Sequence, residues 1–463
     1  MSDVPFGFGM PNEPDDESGR RGGGAGGSGG GAGGGGGGGG PQDPFGGMFD
    51  PNMMADMLRQ FADMMSKQGD EPVNWDVAKN VARHAVSEHG DPSVSPAQRA
   101  QVESALRLAD LWLDSATTLP SGVRTTEAWS RAEWVENTLP TWSKLCDPIA
   151  ARVVESMGAG MPEEMRAVAG PLLGLVRQMG GMMVAQQSGQ AVGALGREVV
   201  GSTDVGLPLG KPGTGVLIPS GVAEFGSGLE IPDDEVRLYL ALREAAHQRL
   251  FVHVPWLRGH LMGAVADYAR GIDFDTSRFE DLIGRVDINN PESLQQALSG
   301  SDALLEPQQT PQQKAALTRL ETVLALVEGW VSVVVDEAVG GRLPHAAALA
   351  ETMRRRRASG GPAETTFATL VGLELRPRRL REAAELWREL GAVRGPEGRD
   401  AVWNHPDLLP SADDLDDPAG FVRRQTDEDA APLDISELEA GGSGEAPRED
   451  PGPDSGGERP DDR

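Results

Sequence analysis

The chain has 463 residues and a formal net charge of −29, a balance that argues against nucleic-acid binding, because affinity for phosphates comes from clustered Lys and Arg. Its one cysteine, Cys146, excludes an intrachain disulfide and a cysteine-based zinc site and fits a reducing compartment, so a cytoplasmic location is expected. The opening residues lack the apolar core of a secretory signal, and no uninterrupted apolar run reaches about 18 residues, so no membrane span is expected.

Residues 1–47 contain GGGAGGSGGGAGGGGGGGG at 22–40, which has no side chains to bury and maximal backbone entropy to lose, and are read as a disordered Gly-rich segment. Residues 48–409 make a mainly helical folded body, with a division into two lobes, 48–200 and 201–409, as one option. Met48 to Lys67 reads as a Met-rich amphipathic helix that docks on the body or on a partner, docking in cis being the plainer reading. From Trp75 to about Thr118 two helical patterns are broken at His89-Gly90-Asp91-Pro92, and Ser95-Pro96 restarts the second as N-cap and first helical residue. Trp129, Trp134 and Trp142 are core candidates.

Residues 171–200 carry Gly189 and Gly193 at four-residue spacing, which lets another backbone come close to a buried helix or pair of helices. GTGVLIPSGVAEF at 213–225 is the best strand candidate, so a small sheet is expected beside the site. Thr310-Pro311 opens a long helix running to about 339, and further helices follow at 344–358 and 378–392. The run Arg354, Arg355, Arg356, Arg357 reads most simply as a solvated helix end, with docking of the chain's own acidic tail as the alternative. From 410 to 463 the chain turns acidic and poor in large apolar residues, and is read as a disordered tail.

Asp233 and Asp234 open a helix with an apolar pattern at Val236, Tyr239, Leu240, Ala246 and Leu250. On it stands Arg243-Glu244-Ala245-Ala246-His247, where a zinc peptidase would have His-Glu-x-x-His. That motif needs two imidazoles one turn apart to hold the metal and a carboxylate after the first to polarise its water. Alone, Glu-x-x-His is a weak signal and reads more simply as a helix histidine satisfied by a neighbouring carboxylate.

Five ordered blocks extend the comparison: AWSRAEWVENTLPTW (128–142), GREVVGSTDVGLPL (196–209), EVRLYLALREAAHQRLFVHVPWLRGH (235–260), LVEGWVSVVVDEAVG (326–340) and RGPEGRDAVWNHPDLLP (394–410). Through them the body resembles an actinobacterial family of zincin-like candidate zinc-dependent metalloproteases, one branch of which is associated with coenzyme F420 biosynthesis. The resemblance implies a mainly α zincin-like fold with a small sheet beside the site helix. It matches Glu244 to the general base, His247 to the second ligand and Glu328 to the third.

Arg243 departs from that pattern, because a guanidinium stays protonated and has no lone pair to give. His253 is about 240° round a continuous helix from His247, and Pro255 ends the helix nearby, so rescue of the site by His253 or His260 requires a bend. The alternative is that Arg243 lies against Glu244 or Glu328 and takes the electrostatic role of the metal. The expectation is a non-catalytic scaffold binding a peptide or protein partner, without a cofactor. The competing expectation is an active zinc-dependent metalloprotease or hydrolase with Glu244 as base. No Gly-x-Gly-x-x-Gly follows a convincing strand, and Gly210-Lys211-Pro212 lacks the hydroxyl residue of a phosphate loop, so no nucleotide cofactor is expected. His84 and His89 share no helix face, His345 and His405 have no evident partners, Cys146 has no evident base, and Trp403 reads as a structural anchor.

Overall fold

The computed structural model describes residues 73–88, 90–159, 170–270, 310–358, 366 and 379–430. The Gly-rich segment, the Met-rich stretch 48–67, His89 and the chain beyond 430 lie outside the described residues.

Helix α1 (Trp75–Ser87) is capped by Asn74, whose side chain accepts from Val77 N, and α2 (Pro96–Leu113) starts in the expected capping box of Ser95 and Gln98. Strand β1 (Thr125–Ala128) follows, then α3 (Arg131–Ala159), whose first amides donate to the carboxylate of Asp91 at 2.8 and 2.9 Å. Helix α4 (Gly170–Glu198) is one helix rather than two. Its glycines do what their spacing suggests. A Cβ at Gly189 would lie 2.6 Å from the carbonyl oxygen of Ala78, and one at Gly193 would lie 2.7 Å from Ala85 Cβ, so α1 packs almost backbone to backbone on α4.

The strand expected over 213–225 is only four residues long, β2 (Thr214–Leu217). Pro219 opens helix α5 (Pro219–Gly226) because its fixed φ suits a first helical turn and it has no amide for a ladder. β2 pairs in parallel with β1, Thr125 opposite Thr214 and Ala128 opposite Leu217, and all four β2 residues are buried. The short, polar β1 has too few alternating apolar residues to be read from sequence.

Helix α6 (Asp233–His253) has acids in its first turn and ends where Pro255 opens α7 (Pro255–Arg270). Helix α8 (Pro311–Val339) begins in a capping box of Thr310 and Gln313 and stops at Gly340, which adopts φ 48°. Helix α9 (Ala346–Ala358) carries the arginine run, and α10 (Leu380–Asp400) kinks at Gly395 before Pro396. α8 is the central element, packing on α6, α7 and α10. No helix among the described residues is long and apolar enough to cross a membrane.

The expected anchor tryptophans are buried, and Trp403 stacks on Trp387 at 5.3 Å and on Trp256 at 6.3 Å. One apolar cluster runs from Ala82 to Val422 and joins residues on both sides of position 200. The ordered body also continues past 409, contrary to the sequence reading. Helices α11 (Ala412–Asp416) and α12 (Pro418–Ala430) bury Leu415, Phe421 and Val422, a short apolar stripe that the acidic composition around it concealed.

Gly329 follows Glu328 on α8 for a steric reason. A Cβ there would meet the backbone of Ala383 and Ala384 on α10 at 2.8 Å. Gly329→Ala is therefore expected to destabilise the fold by about 1–3 kcal/mol through overpacking, read as a lower urea midpoint at unchanged slope.

Candidate functional site

Helix α6 is not amphipathic in its second half. From Tyr239 to Phe251 every residue is buried, including Arg243, Glu244, His247, Gln248 and Arg249. A helix can carry polar groups on all faces inside a protein only if each finds a partner. Arg249 donates to the side chains of Asp110 and Asp114 and to the carbonyls of Asp110 and Leu119, which ties α6 to the end of α2.

Glu244 faces β2 and the turn after α4. Its Oε1 accepts from Ser202 Oγ at 2.5 Å, Val216 N at 3.2 Å and Gln248 Nε2 at 3.2 Å. Its Oε2 accepts from Thr203 Oγ1 at 2.6 Å and Thr203 N at 3.1 Å. Ser202 and Thr203 were not singled out by the sequence reading, although they sit in the block at 196–209. Nothing in their local pattern says that they face a carboxylate 42 residues on.

The neighbouring face of α6, about 100° round from Glu244, meets α8. Arg243 Nη2 donates to Glu328 Oε2 at 2.6 Å, and His247 Nε2 lies 2.9 Å from Glu328 Oε1. His247 Nδ1 lies 2.8 Å from the carbonyl of Arg243, so both ring nitrogens face oxygen acceptors. A second guanidinium completes the group: Arg357 of α9 places Nη1 2.7 Å from Glu328 Oε1 and donates from Nη2 to the carbonyl of Asp204 at 2.6 Å. Next to it Arg356 pairs with Asp204 Oδ2 at 3.0 Å and donates to the carbonyl of Glu198. Arg243 and Arg357 thus share Glu328, while Arg356 is met by Asp204.

Burial by itself would push the Glu328 carboxyl up, but Arg357, His247 and Arg243 outweigh it and hold it well below the usual carboxylate range. Asp204 behaves alike: burial raises it, while Arg356, Arg357 and the amide of Val200 bring it below its ordinary value. Burial opposes the charge of Arg243 too, yet Glu328 more than compensates, and Arg243 holds its proton more firmly than a free arginine. A narrow cleft lies over this cluster, with Thr203, Asp204, Glu244, His247, Met353 and Arg357 among its walls.

Residues 73–422 match the family described as zincin-like metallopeptidase. The chain belongs to that family. A solved structure from Chloroflexus aurantiacus, described as a candidate hydrolase with a novel fold, is similar at 21% identity with a TM-score of 0.53, over 76% of this chain and 99% of that one. At that identity the likeness speaks for the fold alone. No protein among those of curated function matches the sequence.

In this zincin-like frame the sequence-named residues Arg243, His247 and Glu328 converge, and Glu244, in the wall of the same cleft, is bonded to Ser202, Thr203 and β2 instead. The reading of Arg354–Arg357 as a solvated helix end needs correction. Four successive helical residues step about 100° each and cover most of the circumference. Arg354 and Arg355 therefore stay outside on Glu351, while Arg356 turns to Asp204 and Arg357 enters the cleft. The acidic tail proposed to dock on the run lies mostly outside the described residues.

His253 and His260 do not reach the cluster. His253 Nε2 faces the carbonyl of Ser121 at 3.0 Å, and His260 stands edge-on to Trp256. His345 does have a partner, Glu235 at 3.0 Å, and His405 accepts from the amide of Asp407. His84 lies 3.5 Å from Glu88 at the surface. Cys146 is buried, and burial pushes its thiol far up, away from thiolate chemistry.

The depressed Asp204 gives a signed expectation. Its stabilising contribution is full above the unfolded carboxylate value of about 3.9 and is lost as pH falls through the lower folded value. Asp204→Asn should cost about 3 kcal/mol near neutrality by stranding buried arginine charge. The gap to the parent protein in denaturant titrations should narrow below about pH 4, where the unfolded parent begins to take up the proton that its folded form still excludes.

Proposed function

We propose that this chain is a metal-free, non-catalytic zincin-like protein, a scaffold for a peptide or protein partner in which Arg243 takes the electrostatic place of the metal. The observation that carries the reading is the buried ion pair between Arg243 and Glu328 at 2.6 Å. The residues present do not fit a catalytic zinc, which normally has three protein ligands and an open position. The two family-matched ligand positions, His247 and Glu328, are engaged with one another, and Glu328 with two guanidiniums as well. Among the described residues no group of three or more His, Cys, Asp or Glu is placed to hold a metal ion.

Glu244 supports the same reading. A carboxylate offers about four lone-pair positions. Five donors already point at its two oxygens, which leaves no position for a proton taken from water. A role as general base would require Ser202, Thr203 or β2 to withdraw. The partner is taken to be peptide or protein because the fold is that of a peptidase family, and a cytoplasmic setting suits the single buried cysteine.

Metal analysis of protein purified without chelator, combined with peptide-hydrolysis assays, tests this directly. The expected result is zinc far below one equivalent, unchanged in His247→Ala, and no cleavage. One equivalent of zinc that disappears in His247→Ala, with peptide cleavage in the parent, would overturn the reading.

A further inference from the structure

The carboxylate that receives Arg243 carries a second guanidinium, and this arginine was not expected at the site. We propose that Arg357 is an independent second block on the metal position, a positioning residue that fixes Glu328 and pins α9 over the cleft. This inference rests on the non-catalytic reading above and adds a part to it.

The two guanidiniums divide the carboxylate between them. Arg243 is on Oε2 at 2.6 Å, and Arg357 is on Oε1 at 2.7 Å. Oε1 is also the oxygen that His247 Nε2 faces at 2.9 Å. Replacing Arg243 by histidine restores the missing imidazole and frees Oε2, but Oε1 stays with Arg357. A permanent positive charge would then remain in contact with the third ligand, where it opposes a dication.

Arg357 is not there for want of space elsewhere. Its side chain is only 14% exposed, and its Nη2 is fixed on the carbonyl of Asp204 at 2.6 Å. Its buried Nε has no acceptor, so Coulomb attraction to Glu328 does more to hold it than a complete set of hydrogen bonds. Burial, and after it the nearby Arg243, loosen its hold on the proton, a penalty that Glu328 and Asp204 offset only in part. Arg356 beside it is paired with Asp204 at 3.0 Å, and Leu349, Ala350 and Met353 bury the inner face of α9. The last turn of α9 is therefore fastened over the cleft by the same charges that occupy the site.

Zinc titration calorimetry on the full-length protein tests the proposal with four variants: Arg243→His, Arg357→Met, and Arg243→His combined with Arg357→Met or with Arg357→Lys. Thermal melts report whether each is folded, and Arg357→Gln in the Arg243→His background replaces the Met variant if that one is not. The combination with Met is expected to bind zinc about tenfold or more tightly than Arg243→His alone. The combination with Lys should fall back to the level of Arg243→His, because charge is what matters, and Arg357→Met alone should gain no zinc. Equal affinity of Arg243→His and its combination with Met, or no zinc binding by either, would overturn the role of Arg357 while leaving the non-catalytic reading in place. Stoichiometric zinc in the parent protein would instead overturn that reading, and this inference with it.

Discussion

A carboxylate buried between two helices cannot stay charged without positive charge against it. Glu328 is 5% exposed, and it is the point at which α6, α8 and α9 meet. An ionised group stranded in such a place costs several kcal/mol, so the fold must supply cations or leave the acid protonated. Here the cations are side chains. Arg243 comes from one turn before His247 on α6, and Arg357 comes from the end of α9, so the two helices are held to α8 by one acid. The turn at 200–204 joins the same arrangement through Asp204, which takes Arg356 and the amide of Val200.

The geometry of that cluster depends on a wider frame of buried polar anchors. Arg249 ties α6 to α2, and Arg399, fully buried, joins Asp400, Glu337 and the carbonyl of Ala116. Asp400 in turn accepts from Trp330 Nε1 at 2.9 Å and from Thr117 Oγ1 at 2.6 Å. Trp330 is two residues from Glu328 on the same helix, so this second network fixes the rotation of α8 that presents Glu328 to α6. Gly329, between them, lets α10 close on the far side. Glu328, Gly329 and Trp330 thus have separate physical jobs: a charge to be met, a backbone to be approached, and an indole to be anchored.

Much of this was legible in the sequence where local chemistry dictates the outcome. Ser95-Pro96 and Thr310-Pro311 declared their helix starts, and the glycines of α4 their close packing. The partner choice of Arg243, left open between Glu244 and Glu328, was not legible, because residues adjacent on a helix point about 100° apart and only the packing of β2 and α8 decides which acid lies where. Arg357 was hidden for a related reason. A four-arginine run looks solvated on composition, and its inward half is evident only once α9 is placed against the cleft. The ordered stretch beyond 409 was masked by acidic neighbours around Leu415, Phe421 and Val422. In each case the missing information was tertiary, carried by residues far away in sequence.

Arginine can replace the charge of a metal but not its chemistry. A bound dication contributes folding energy only when it is present, whereas guanidiniums are always attached, so a core built on Arg243 and Arg357 is complete as soon as the chain folds. The same permanence removes what a catalytic metal provides. A Lewis acid works through an exchangeable position at which water binds and loses a proton near neutrality. A guanidinium donates hydrogen bonds in a fixed plane, accepts no lone pair and leaves the pKa of a neighbouring water essentially to the general electrostatics of the site. With Glu244 also saturated by Ser202, Thr203, Val216 and Gln248, neither half of a water-activating pair is free. On the proposed reading, arginine at 243 trades reactivity for a site that holds itself together, and Arg357, on the same carboxylate, adds a second charge to that trade.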